Sequence, residues 1–313
     1  MNQNLSLKKL KGIKPKGVKS RLESTNLDFL LDAESKVLEL FKEDRAKNTQ
    51  DFYSKVFEHD STRLRSFRHV VQNWVAHIFE EKSFSATDLE SYILTRSFNY
   101  DFKQPESLVV GMYSGCLLSR LTQENYSKNK STDLRLCGGN SNFDYLFFCA
   151  KTVDKLFIDS FVGSHICSHL SNKGTLNLVS LTNCKGDWFL NNINPAQGNP
   201  KLYVLVNHVG SNASVGEHLA AGGLVVSYNC VNAWTIRPTN HYSDYSLHEG
   251  SIDKILFLEK FPKHRNLISK QKFTNQELVK IAKLTKQISQ TKDNNIFDLV
   301  YQIYELNKIR CER

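Results

Sequence analysis

The residues best suited to chemistry sit at one repeated position. Cys184, His208 and Cys230 each follow an asparagine (Asn183, Asn207, Asn229), and each closes an apolar run. A thiol beside an imidazole can act as nucleophile and base, and Cys with His can ligate zinc. If the three copies stack at about 4.8 Å per repeat, the two cysteines stand about 9.6 Å apart. Zn–S bonds of about 2.3 Å require thiolates about 3.7 Å apart, so this column supplies no zinc site. A Cys184–His208 pair on neighbouring repeats is still within reach. His165 and His169 are four residues apart, a metal-pair spacing on a helix, but only Ile166, Cys167 and Ser168 lie between them, and the surrounding period is not helical. Further along, the polar, aromatic stretch 240–249 holds His241, Asp244, His248 and Glu249, candidates for general acid and base. The chain carries no phosphate-cradling glycine loop, dinucleotide fingerprint, nucleophile elbow or zinc-finger spacing. Neither a metal nor another cofactor is expected.

These side chains depend on the element that repeats them. Leu178-Val179-Ser180-Leu181-Thr182-Asn183-Cys184, Val204-Leu205-Val206-Asn207-His208 and Val225-Val226-Ser227-Tyr228-Asn229-Cys230 are three copies of one phrase. Fainter copies precede them at Leu134–Gly139 and Leu156–Gly163. Glycines at 139, 163, 186 and 210 fall about two dozen residues apart. Val162-Gly163-Ser164 recurs as Val209-Gly210-Ser211, and His169-Leu170 as His218-Leu219. A unit of this length, with one strong strand and tight turns, makes one coil of a parallel β-solenoid. Asn183, Asn207 and Asn229 would then form a column at a strand-to-turn corner. There an amide side chain can bond the next coil and the backbone tolerates left-handed geometry.

Helices are expected on both sides. Leu27, Leu30, Leu31, Val37, Leu38 and Phe41 keep a helical period, as do Val70, Val71, Trp74, Val75 and Phe79. Thr87 and Glu90 have capping-box spacing, and so do Thr274 and Glu277, ahead of Leu278, Ile281, Leu284 and Ile288. From Val109 the apolar runs shorten between Gly, Asn and Ser. The reading is a basic arm over 1–22, a helical region over 23–98, the solenoid over 99–250 and a helical region over 251–313. The fold class is thus α+β, a short right-handed parallel β-solenoid flanked by helices that cover its terminal coils.

A hydrophobic share of 40% across 313 residues is enough for a large core, and no apolar run approaches the ~20 residues of a membrane span. Seven scattered cysteines, an odd number, suggest reduced thiols and a cytoplasmic location. The net charge of +9 is concentrated. Lys8, Lys9, Lys11, Lys14, Lys16, Lys19 and Arg21 precede the first acid, Glu23, and a second basic region runs from Lys260 to Lys286. Such clusters attract phosphate backbones, which makes those seven residues the candidate nucleic-acid contacts; an acidic protein subunit is the other partner they suit. An oligomer is compatible with this composition.

Residues 139–232 resemble the glycine-rich β-helix domain of glutamate synthase large subunits and of a formylmethanofuran dehydrogenase subunit. The match is carried by Gly163–Val179 and its analogue Gly210–Val226, with Gly216 and the pair Gly222-Gly223. The resemblance implies structural coils that pack against catalytic domains elsewhere. It extends to neither an amidotransferase nor a flavin barrel, and the segment 191–200 lacks the paired glycines. The reading is therefore an interaction or scaffold protein that binds an acidic partner. The alternatives are an enzyme with a Cys/His or His/acid site on the solenoid, and an accessory subunit of a redox or amidotransferase complex.

Overall fold

The computed structural model describes residues 26–47, 61–80, 82–171, 174–191, 193, 201–214, 223–234, 245–247, 252–253, 255–256, 273–291 and 295–312. The arm with Lys8, Lys9, Lys11, Lys14, Lys16, Lys19 and Arg21 lies outside these residues, as do His241, Asp244, His248, Glu249 and the basic run 260–272.

Among the described residues eight strands follow one another: β1 (Asp133–Asn142), β2 (Thr152–Val162), β3 (Thr175–Thr182), β4 (Leu202–Val206), β5 (Val209–Ser214), β6 (Leu224–Tyr228), β7 (Val231–Trp234) and β8 (Tyr245–Leu247). Every pairing is parallel. β1-β2-β3-β4-β6-β8 form one wall and β5-β7 another. Parallel neighbours taken in chain order wind the chain into a β-solenoid. Leu136, Ile158, Leu181 and Leu205 are register partners and stack inside it. Their neighbours Phe157, Val204 and Val226 are buried on the other face of the sheet, so these strands read as nearly continuous apolar runs.

The asparagine column forms as the sequence implies. Asn183, Asn207 and Asn229 have φ of 53°, 56° and 51° and end their strands in left-handed backbone. The Nδ2 of Asn229 donates to the Oδ1 of Asn207 at 2.7 Å, and Asn207 donates in turn to Asn183 at 2.8 Å. Asn183 then donates to the carboxylate of Asp159 at 2.7 Å, where the ladder ends. Thr182 and Ser160 also donate to Asp159, each at 2.7 Å. A buried carboxylate with several donors is a stable terminus for such a chain of amides.

The glycines stack one turn later. A Cβ on Gly186 would stand 1.8 Å from the carbonyl oxygen of Gly163, and one on Gly210 would stand 2.6 Å from that of Gly186. Gly139 is not in this column. Two extra residues between Cys137 and Ser141 shift the first coil's register, which places Phe143 beneath Gly163.

A third wall joins these turns back to the sheet. In it, left-handed residues alternate with ordinary ones: Tyr145, Phe147 and Cys149, then His165, Cys167, His169 and Ser171, then Trp188 and Leu190, all with φ between 51° and 61°. Their amides point alternately to the following and the preceding coil. His165 N donates to Asp187 O (2.8 Å) and His169 N to Asn191 O (2.6 Å), whereas Cys167 N donates to Leu146 O (2.8 Å) and Ser171 N to Ala150 O (2.6 Å). In the first coil the partners below are missing. The amides of Phe147 and Lys151 donate instead to the hydroxyls of Ser114 (2.9 Å) and Ser119 (2.7 Å).

Those serines lie on a helix where the sequence reading placed solenoid. Ahead of β1 come α1 (Leu27–Lys47), α2 (Ser61–Phe79), α3 (Ala86–Phe98) and α4 (Glu106–Ser127), so the strands begin at Asp133 rather than near 99. Gly111, Ser114, Gly115 and Ser119 recur at helical spacing and give α4 one small, polar face. Cβ atoms on Gly111 or Gly115 would stand 2.3 Å from Tyr145 Cβ or Phe148 O. The glycines permit the approach, and the hydroxyls satisfy the amides found there. The cap of α3 is also two residues from its expected place: Ser85 and Asp88 form the reciprocal capping box, and Thr87 and Glu90 lie inside the helix.

Thr274 and Glu277 do form the expected capping box, opening α5 (Asn275–Gln290), which α6 (Asn295–Glu312) follows. The two helices lie over the outer face of the sheet rather than over a terminal coil. Leu278, Ile281, Ile288, Val300 and Ile303 pack there with Leu202, Val204, Leu224 and Val226. Outward-facing valines and leucines on successive coils leave an apolar surface, and this helix pair covers it.

Asn207→Ala removes hydrogen bonds to Asn183, Asn229 and the Ser289 carbonyl while keeping a Cβ in left-handed backbone. It should lower unfolding free energy by about 2–3 kcal/mol in urea titrations at unchanged m-value. Asn207→Gly should recover about 1 kcal/mol of that loss. Gly186→Ala should cost about 3 kcal/mol, read as a drop in thermal midpoint.

Candidate functional site

The Cys/His column turns inward. Lys185 N donates to Phe161 O, Val209 N to Cys184 O and Val231 N to His208 O, which aligns Phe161, Cys184, His208 and Cys230 on successive coils. Phe161, Cys184 and His208 are fully buried. The ring of His208 reaches the main chain of Cys184 rather than its thiol: Nδ1–H donates to the carbonyl at 3.1 Å. Nε2 has no hydrogen-bond partner among the described residues, and the Phe189 ring is centred 4.5 Å away. Burial pushes the imidazole down to about 4 and the Cys184 thiol up to about 12. A neutral ring and an un-ionised thiol, both shut in the core, cannot act on a substrate. Cys184 and His208 pack in the core, and the imidazole meets the Cys184 carbonyl instead of the thiol that the nucleophile–base alternative requires.

The groups that do converge at the surface belong to the alternating wall. Asp144-Tyr145, Ser164-His165 and Asp187-Trp188 occupy equivalent places on three coils, each just after the Phe143/Gly163/Gly186 column. Left-handed backbone at Tyr145, His165 and Trp188 aims the three rings the same way. Tyr145 and His165 are parallel to within 1° at 4.8 Å, and His165 and Trp188 to within 9° at 6.2 Å. Tyr145 is buried, His165 partly so, and Trp188, the last ring of the stack among the described residues, is 37% exposed.

Beside this column runs the segment that joins α3 to α4. Phe102, Lys103, Gln104 and Ser107 face Asp144, Tyr145, Ser164, His165, Asp187 and Trp188 across an open groove of about 440 Å3. The amide nitrogen of Gln104 donates to the Tyr145 hydroxyl, tying the two sides together. Tyr100 OH donates to the Asp144 carbonyl at 3.2 Å, and Asp144 Oδ1 accepts from Ser164 N at 2.7 Å. Main-chain hydrogen bonds between coils fix one wall of the groove, and side-chain bonds tie the other to it.

The spacing of His165 and His169 is that of a metal pair on a helix. The wall puts them in separate ring columns, His165 on the groove and His169 buried against Phe148 at 5.2 Å. Among the described residues no three His, Cys, Asp or Glu side chains are grouped to hold a metal ion. Asp144, Asp187 and Trp188 belong to no recognised motif, although an acid-or-Ser then aromatic dipeptide recurs on the three coils. The exposed charge is cationic on two helices. α2 has no acidic residue and exposes Arg63, Arg65 and His69. α5 has a single acid, Glu277 in its cap, and exposes Lys280 and Lys283. No helix among the described residues is long and apolar enough to cross a membrane.

The buried imidazole makes the fold acid-sensitive in a defined window. His208 protonates more readily unfolded, near 6.5, than folded, near 4. Its contribution is complete above pH 6.5 and falls by up to about 3 kcal/mol as pH drops to 4. Urea titrations from pH 7 to 4 should show His208→Leu losing less stability over that window than the unsubstituted chain.

Comparison of the chain with protein-family models, with curated proteins and with solved structures gives no match.

Proposed function

We propose that this is a non-enzymatic binding protein in which a rigid solenoid core carries cationic helices to an acidic partner, nucleic acid first among them. The observation that carries the reading is α2: nineteen residues without an acid, presenting Arg63, Arg65 and His69 to solvent. Arginine pairs with phosphate in a bidentate geometry, and clustered cations without interspersed acids concentrate that attraction. The lysines of α5 and the seven cations of the N-terminal arm add to it in the same sense. A rigid core suits this role, because fixed helices present their charges without a folding cost at binding.

A fluorescence-anisotropy titration of single-stranded RNA and of duplex DNA against salt tests it. Affinity should fall steeply with salt, and Arg63→Glu with Arg65→Glu should weaken binding at least about tenfold and flatten the salt slope by about 2. Deleting residues 1–21 should weaken it further. Absent or salt-insensitive binding to both nucleic acids would remove the reading. An acidic protein subunit recovered from native extract in their place would leave only the cationic surface standing.

A further inference from the structure

The groove beside the aromatic column has no part in phosphate binding, and its chemistry is of another kind. Two carboxylates, Asp144 and Asp187, line it and would repel a phosphate. Lys103 lines it too, which disfavours a simple organic cation. What remains is a mixed set of hydrogen-bonding groups: carboxylates that accept, an ammonium that donates, and an amide and a hydroxyl, Gln104 and Ser164, that do both. Such a set suits a ligand whose own groups both donate and accept at closely spaced positions. Sugar hydroxyls are of that kind.

The apolar half of the site points the same way. Trp188 is the last ring of the stack among the described residues and has over a third of its surface open, and half-buried Phe102 stands across the groove. An exposed indole beside fixed polar groups offers a flat apolar surface for the C–H face of a sugar ring, while the ring's hydroxyls reach the carboxylates, Lys103 and Gln104. The stack is held by the coils beneath it, so little ordering is needed on binding. A volume of about 440 Å3 lies within the range of small-ligand pockets, about 300–1,000 Å3.

We propose that the groove between the α3–α4 segment and the Tyr145–His165–Trp188 column is a carbohydrate-binding site for a neutral oligosaccharide, with one sugar ring stacked on Trp188 and its hydroxyls held by Asp144, Asp187, Lys103 and Gln104. The site is separate from the cationic face of α2, so each stands or falls alone.

Calorimetric titration of the full chain with cellotriose, maltotriose, mannotriose and chitotriose tests it, with adenine as a ring that stacks but carries no hydroxyls. At least one trisaccharide should saturate a single site. Trp188→Ala should weaken it about thirtyfold or more, Trp188→Phe should keep most of the affinity, and Asp144→Asn or Asp187→Asn should each weaken it several-fold. Arg63→Glu with Arg65→Glu should leave it unchanged. Thermal midpoints within a few degrees of the unsubstituted chain certify that the Trp188 variants fold. The proposal is overturned if none of the four sugars binds, if Trp188→Ala binds as well as the original, or if adenine alone binds.

Discussion

Hydrogen bonding from each coil to the next, in one fixed register, is the constraint that everything else in this molecule obeys. It makes like residues lie above like, and then filters which residues each place can accept. At the strand ends the place demands left-handed backbone and an amide that both gives and takes, and asparagine fills it three times. One turn later the carbonyl of the coil below stands where a Cβ would be, so the place is glycine's. On the alternating wall every second residue is left-handed without being glycine, a strained arrangement. The amides that strain turns outward are bonded above and below, which holds the wall together.

The same register explains how the core and surface divide. Rings and thiols that follow the corner are carried inward, and a histidine among them is kept neutral by its surroundings. Rings that follow the glycine column are carried to the groove. Position within the coil, rather than residue type, separates packing from potential chemistry: His165 and His208 are one residue type with opposite surroundings.

The coils were legible in the sequence because their signal is periodic and local. The asparagine column, the parallel strands and the cap at Thr274 follow from types and spacings within a few residues. α4 was hidden for a physical reason. A helix that lies flat on a backbone needs glycine and serine along its contact face, and those residues imitate a loop when composition alone is weighed. The direction of the Cys/His column was equally closed to inspection, since inward and outward copies of one repeat are spelled alike. The groove depends on three short dipeptides and a linker distant in sequence, and only the winding of the chain brings them together.

Ser114 and Ser119 hold amides whose counterparts on the next coils, at Cys167, Ser171 and Leu190, are given to a carbonyl of the preceding coil. The underside of the first coil is thereby occupied, and a neighbouring strand or a second molecule finds that side of the wall already spoken for. Gene duplication could therefore lengthen this array only by inserting a unit downstream of the helix, never by adding one in front of it. The serine-bearing helix fixes where the repeat begins.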